Sequence, residues 1–168
     1  LVKFMIGKYP ECNIVVYDKF TYAADKDNLK EFIHSKNFTI VEDDICKYQS
    51  VYDVICYFKI DTIIHLAAES HVDNSILSPG TFIKTNILGT YNLLEAARQA
   101  WESDNFVGKR FHHVSTDEVY GSLTLSDQPF TETTSYDPRA PYSASKASSD
   151  HLVMAYYHTY GLPVTISN

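Results

Sequence analysis

Segments with strand patterning and segments with helical periodicity alternate along almost the whole chain. Each strand-like run ends in a carboxylate, a hydroxyl or small residues. The runs Cys12–Tyr17 (ending at Asp18), Phe38–Val41 (ending near Asp43 and Asp44), Asp61–Ala68, Arg110–Ser115 and Val164–Asn168 read as strands, the third of them buried. Helices are expected over residues 25–35, 48–58, 79–101 and from Tyr142 to about Tyr160, the last two long. A loop rich in Ser, Thr, Asp and Pro covers 122–141. Such alternation requires crossover connections, so the expected fold is α/β, a doubly wound, mainly parallel sheet with helices on both faces. Ligands of such sheets bind beyond the carboxyl ends of the strands. Asp18, Asp44, Ala67-Ala68 and Thr116-Asp117-Glu118 all fall there.

At 168 residues the chain has enough material for one domain with a real core. Its formal charge of -7 disfavours nonspecific binding to nucleic acid or to an anionic membrane, yet leaves room for phosphate held by backbone amides. No apolar run approaches a bilayer span, and no secretory signal is visible. Three cysteines, Cys12, Cys46 and Cys56, without metal spacing suggest a reduced, cytoplasmic protein. Both ends look cut. Leu1–Gly7 reads as the back half of an amphipathic helix with no cap or preceding strand, and Val164–Asn168 as a strand without an exit.

Placed at the end of the second strand of a Rossmann-like order, Asp18 would accept hydrogen bonds from an adenosine ribose and repel the extra phosphate of NADP, favouring NAD. An Asp after a strand is also an ordinary turn residue. Asp44 and Ile45 can border an adenine ring, and the small residues of Leu66-Ala67-Ala68 let backbone approach a dinucleotide. The glycine-rich phosphate loop is missing; its place, with the first strand, would precede Leu1.

Tyr142 and Lys146 stand at i and i+4 near the start of a helix, hence on one face. An ammonium beside a phenol stabilises phenolate, so Tyr142 can serve as a base for a sugar hydroxyl, with Lys146 also within reach of a nicotinamide ribose. Thr116 offers a hydroxyl to orient the sugar or the phenol. A surface Tyr and Lys four apart by chance is the plain alternative in a chain with 13 tyrosines. Asp117 and Glu118 taken alone suit a solvated turn or a helix cap. Beside an oxidised sugar they supply an acid and a base for elimination, with pKa values set apart by their surroundings.

At these residues the chain resembles the dTDP-glucose 4,6-dehydratases of the extended short-chain dehydrogenase/reductase (NAD-dependent epimerase/dehydratase) family. The segments that carry the resemblance are Asp18–Ala23, His65–Asp73, Thr85–Thr90, Phe111–Gly121 and Pro141–His151. It implies a partial NAD-binding Rossmann domain over 1–168, and a lyase that oxidises C4, eliminates water across C5 and C6 and returns hydride to C6. Tyr142 would take the C4 hydroxyl proton, Glu118 the C5 proton, and Asp117 would protonate the leaving oxygen. Asp18, Lys19, Phe20, Thr21, Asp44, Ile45, Leu66, Ala67, Ala68, Glu69, Ser70, Thr85, Tyr142 and Lys146 would surround NAD. Ser70, Thr116, Asp117 and Glu118 would meet the sugar nucleotide.

The resemblance also implies a carboxyl-terminal substrate domain that the sequence lacks, little turnover by these residues alone, and no role in substrate binding for Asn168. A homodimer is implied through helices at about 79–101 and 142–160. A UDP-sugar 4,6-dehydratase is the enzyme alternative, and a non-catalytic NAD-binding module the alternative if the chain is naturally this short. No metal site is expected, because His112 and His113 face opposite sides of a strand and no carboxylate joins His65 and His71.

Overall fold

The computed structural model describes all residues, 1–168, and contains five short strands, all paired in parallel. Its internal contacts divide the chain into two compact units, Leu1–Ile45 and Cys46–Asn168, where one domain was expected. The first unit holds α1 (Val2–Lys8), β1 (Ile14–Asp18), a 3-10 turn over Lys26–Phe32 and β2 (Phe38–Glu42). The second holds α2 (Tyr48–Tyr57), β3 (Thr62–His65), α3 (Val72–Leu77), α4 (Pro79–Phe82), a π-helical segment Ile83–Leu88, α5 (Gly89–Trp101), β4 (Arg110–Val114), a 3-10 turn Asp117–Tyr120, α6 (Pro141–Tyr160) and β5 (Val164–Ser167).

The strands form two sheets, β1-β2 and β3-β4-β5. Every pairing is parallel, with helical segments connecting the strands, so the doubly wound α/β class expected from the alternation is the observed one. In the first unit Ile14 pairs with Phe38 and Asp18 with Glu42, which brings both strand-end carboxylates to one edge. In the second, β4 is central: His65 pairs with His113, and His113 with Ile166. Phe111 and His113 are fully buried while Arg110, His112 and Val114 alternate with them, as the two-residue period of a strand demands. β3, expected to be buried, buries only His65, because as an end strand of its sheet it hydrogen-bonds β4 alone.

Three helical expectations need correction. Residues 25–35 form a 3-10 turn rather than an α-helix: the Asp25 side chain accepts from the Asp27 N–H (2.9 Å), and Phe32 is its one buried residue, so no apolar face holds a longer helix. α3 escaped sequence reading because only Ser75 is buried and Ile76 and Leu77 face outward. The long 79–101 helix is real but interrupted by the π segment.

α6 starts at Pro141, whose fixed φ and missing N–H suit the first helical position, and Ser143 Oγ meets the Ala140 N–H and C=O, both at 3.1 Å. It ends at Gly161, which takes the left-handed conformation (φ 72°) that closes a helix without a Cβ clash. It packs against α5, the π segment and β5.

A charged knot ties α6 to α5. Glu95 accepts from Arg98 through both oxygens (2.7 and 3.0 Å), from Gln99 (2.8 Å) and from the Tyr156 hydroxyl on α6 (2.9 Å). The Arg98 guanidinium, 5.0 Å from the Tyr160 ring centroid, adds a cation–π contact. These bonds, Arg98 foremost, hold the Glu95 carboxyl at about 2 against an ordinary 4.5. A carboxyl depressed on folding contributes stability above its unfolded pKa and loses it as pH falls through the folded one. Glu95→Gln is therefore expected to cost on the order of 1–2 kcal/mol at pH 7, after discount for partial exposure. In denaturant titrations the gap to the unaltered protein closes as pH falls from about 4.5 to about 2.

Candidate active site

In the first unit the expected adenosine residues cluster at the ends of β1 and β2. Asp18 Oδ1 accepts from the Phe20 N–H (2.7 Å), closing a turn in which Phe20 takes a left-handed φ of 50°. Lys19 Nζ lies 2.8 Å from Asp44 Oδ2, and the Tyr17 hydroxyl donates to the Asp44 carbonyl (3.2 Å). Ile45 is buried and Thr21 exposed. Asp18 is thus a turn residue, and it also stands at a strand's carboxyl end, where a ribose acceptor would be.

In the second unit the loop Leu66–Ser70 leaves β3 and is fixed by a residue sequence reading did not single out. Asn86, buried in the π segment, accepts from the Glu69 N–H (2.8 Å) and donates to the Glu69 carbonyl (3.0 Å) and to Ser145 Oγ on α6 (2.8 Å). Its own carbonyl accepts from the hydroxyls of Thr90 (2.5 Å) and Ser149 (2.6 Å). The wider turn of a π segment leaves backbone carbonyls to side-chain donors, and here both donors are side chains of the packed helices. Thr85, half-buried beside Asn86, lies in the same segment. Ser70 and Leu66 are exposed.

Beyond β4 the chain turns sharply. Thr116 is extended and its hydroxyl accepts from the Glu118 N–H (3.3 Å), capping the 3-10 turn that carries Asp117 and Glu118. Buried Val119 anchors the turn, and its carbonyl accepts from the Asp137 N–H (3.0 Å). Gly121 then adopts φ 105°, and a Cβ there would meet the Asp137 carbonyl oxygen at 3.1 Å. Only glycine fits that position without strain.

Tyr142 and Lys146 are both buried on α6, as their spacing predicts. Tyr142 packs edge-to-face on Phe82, with centroids 6.3 Å apart. The electrostatics, however, differ from the expectation of a lowered phenol. Burial pushes the Tyr142 phenol up, Glu118 and Asp117 push the same way, and a hydrogen bond with Thr116 opposes them. The Lys146 ammonium is aimed instead at the Val114 carbonyl (2.7 Å), where burial pulls its pKa down. The structure therefore brings Thr116, Asp117, Glu118 and Tyr142 together electrostatically, while Lys146 holds the end of β4.

His65 and His112 are committed to hydrogen bonds. His65 Nε2 is 2.8 Å from Thr90 Oγ1, and His112 reaches Thr165 (2.8 Å) and Ser167 (3.2 Å) on the face opposite His113. Burial, together with His113 and Lys146, holds His65 neutral well below the usual histidine range. The Asn168 amide donates to the Thr116 carbonyl (3.3 Å), a backbone tie.

Two changes test this turn. Thr116→Val removes the one bond that favours phenolate, so the Tyr142 phenol should titrate higher, as read by ultraviolet difference absorbance against a Tyr142→Phe control. Gly121→Ala should lower stability by about 1–3 kcal/mol in thermal or denaturant unfolding, since it places a side chain at a positive φ and against Asp137.

The sequence pattern of a protein family described as GDP-mannose 4,6 dehydratase matches residues 1–168. A dTDP-glucose 4,6-dehydratase of Neisseria meningitidis serogroup B is 51% identical over 158 residues, covering 92% of this chain and 44% of that protein. The dTDP-glucose 4,6-dehydratase of Haemophilus influenzae is 45% identical, over 100% of this chain and 50% of its own. Among solved structures, DesIV, a dTDP-glucose 4,6-dehydratase of Streptomyces venezuelae bound to NAD, superimposes with a TM-score of 0.87 at 38% identity, covering 98% of this chain and 49% of that one. A UDP-glucose 4-epimerase of Thermus thermophilus in complex with NAD gives 0.82 at 25% identity, with 98% and 49% covered. The chain thus spans about half the length of the curated relatives it matches. With a match along all of its residues, the chain belongs to the GDP-mannose 4,6 dehydratase family.

Proposed function

We propose that this chain is the NAD-binding domain of a dTDP-glucose 4,6-dehydratase, a lyase that converts dTDP-glucose to dTDP-4-keto-6-deoxyglucose and water. The observation that carries this reading is the convergence of one phenol and two carboxylates: Glu118 and Asp117 both bear on the buried Tyr142, and the Thr116 hydroxyl that caps their turn favours its ionised form. Relatives 45–51% identical to this chain carry that enzyme's name, and related structures contain NAD.

The residues present fit a dinucleotide. Asp18 offers a carboxylate at the end of β1. The small Ala67 and Ala68 follow β3 in a loop whose backbone Asn86 holds still. Lys146 carries three N–H donors, one of them given to Val114. When bound, NAD supplies the acceptor for the C4 hydride and gives the hydride back at C6. Lys19, Phe20, Thr21, Asp44, Ile45, Ser70 and Thr85 complete the proposed surroundings.

Tyr142 takes the proton of the C4 hydroxyl as its carbon is oxidised. A phenol pushed up by burial is a reluctant base, so cationic charge brought with the oxidised cofactor, and the Lys146 ammonium, favour its ionised form. The new C4 carbonyl acidifies the C5 hydrogen. Glu118 removes it, and Asp117 delivers a proton to the C6 oxygen, which leaves as water. C6 then accepts hydride while C5 regains a proton. The cycle balances as loss of one water with no net redox change.

The proposal includes a homodimer through the helical stretches at about 79–101 and 142–160, supported by the exposed apolar and aromatic side chains of Leu88, Tyr91, Met154 and Tyr157. It includes a cytoplasmic location, in keeping with three cysteines that form no disulfide. No helix is long and apolar enough to cross a membrane.

The direct test supplies the complete protein with NAD and dTDP-glucose in heavy water and reads the product by mass spectrometry. Loss of one water with gain of one deuterium at C5 is expected. Unchanged dTDP-glucose would sink the substrate assignment; turnover of UDP-glucose instead would reassign the base. Asp117→Asn and Glu118→Gln should each lower turnover by about 10²–10⁴-fold while NAD still binds.

A further inference from the structure

One buried titratable group transfers no proton in the chemistry above, though its charge helps push the Tyr142 phenol up. Asp150 is 1% exposed and lies on α6 one turn beyond Lys146 and two beyond Tyr142. Its Oδ2 accepts from the Ser115 hydroxyl (2.6 Å) and the Tyr136 hydroxyl (2.9 Å), and its Oδ1 lies 3.1 Å from His113 Nε2. The contact with His113 is close but poorly aligned, leaving those two atoms without a well-formed hydrogen bond. The three partners come from distinct places. His113 is on the central strand, Ser115 immediately precedes the Thr116-Asp117-Glu118 turn, and Tyr136 belongs to the loop that follows it.

A buried carboxylate is costly unless compensated. This one is met by two hydroxyl donors and an imidazole, and stands a single helical turn from a buried ammonium. We propose that Asp150 is a positioning residue for the oxidation step, pinning α6 to both flanks of the carboxylate turn and serving as counter-charge to Lys146. Through Ser115 and Tyr136 it fixes how far along its axis α6 sits against the turn, and so where Tyr142 stands relative to Asp117 and Glu118. The tether is a charge, so it also acts on the ammonium beside it. Burial pulls the Lys146 pKa down, and Asp150 opposes that pull. The other titratable groups facing Lys146 are His65 on β3 and His113 on β4, both held below the usual histidine range mainly by burial. Neither replaces the carboxylate as a counter-charge.

The inference rests on the function proposed above for its kinetic half only. Asp150→Asn keeps the shape and removes the charge. In the complete protein, Lys146 Nζ should titrate about one pH unit or more lower, as followed by NMR of labelled lysine and assigned with Lys146→Met. The alkaline limb of C4 oxidation, read as appearance of reduced cofactor at 340 nm in a single turnover, should move down with it. A Lys146 titration unchanged by Asp150→Asn overturns the counter-charge, whether or not the protein turns over dTDP-glucose. Absence of reduced cofactor in the unaltered protein counts against the proposed function and leaves the NMR result standing. The paired change Ser115→Ala with Tyr136→Phe keeps the charge, and decides the tether should Asp150→Asn not fold. It should slow oxidation about tenfold or more with the alkaline limb in place. An unchanged oxidation rate overturns the positioning role.

Discussion

The second unit depends on a single buried side-chain amide. Asn86 satisfies both backbone groups of Glu69 and reaches across to Ser145, so the loop after β3, the π segment and α6 are set by one residue. Loops seldom carry buried backbone without such a partner, because an unsatisfied amide or carbonyl costs about as much as a lost hydrogen bond. The hydroxyls of Thr90 and Ser149 close the arrangement from the other side by donating to the Asn86 carbonyl. The loop proposed to lie along a dinucleotide is thereby ordered by the protein itself.

Around Tyr142 the balance of charge sets the chemistry. Burial and three nearby carboxylates, Glu118, Asp117 and Asp150, favour the neutral phenol, and the Thr116 hydroxyl opposes them. Under the proposed function, a site biased in this way would hold its proton until positive charge arrives, coupling proton removal to the presence of the cofactor. The Lys146 ammonium is meanwhile spent on the Val114 carbonyl, at the point where β4 ends and the reactive turn begins.

Much of this was legible in the residues. The β4 pattern gave the strand and the opposed faces of His112 and His113, and the four-residue spacing placed Tyr142 and Lys146 on one helix face, which is buried. The parallel order followed from the crossovers. Less legible were features set by side chains bonding to distant backbone. The π segment arises around Asn86, whose partner Glu69 is 17 residues away, and no local periodicity marks it. Asp150 did carry a signal, falling on the Tyr142 and Lys146 face at i+8 and i+4, but a polar residue on that face reads equally as solvated until Ser115 and Tyr136 are seen to meet it. The orientation of the Lys146 ammonium was hidden for the same reason: spacing fixes a helix face, not the far end of a long side chain.

The buried face of α6 mixes hydrocarbon with polar groups. Ser143, Ser145, Lys146, Ser149 and Asp150 are buried along it beside Tyr142, Ala147, Val153 and Tyr156, and Ser145, Ser149 and Asp150 hydrogen-bond to neighbouring elements. Apolar contacts lose strength on cooling because water's penalty for exposed hydrocarbon fades, whereas polar surface contributes to the heat capacity with the opposite sign. A helix seated in part by hydroxyls and a carboxylate is less subject to that weakening than one seated by hydrocarbon alone. The tie of α6 to the carboxylate turn through Ser115 and Tyr136 therefore leans less on temperature than the apolar core around it.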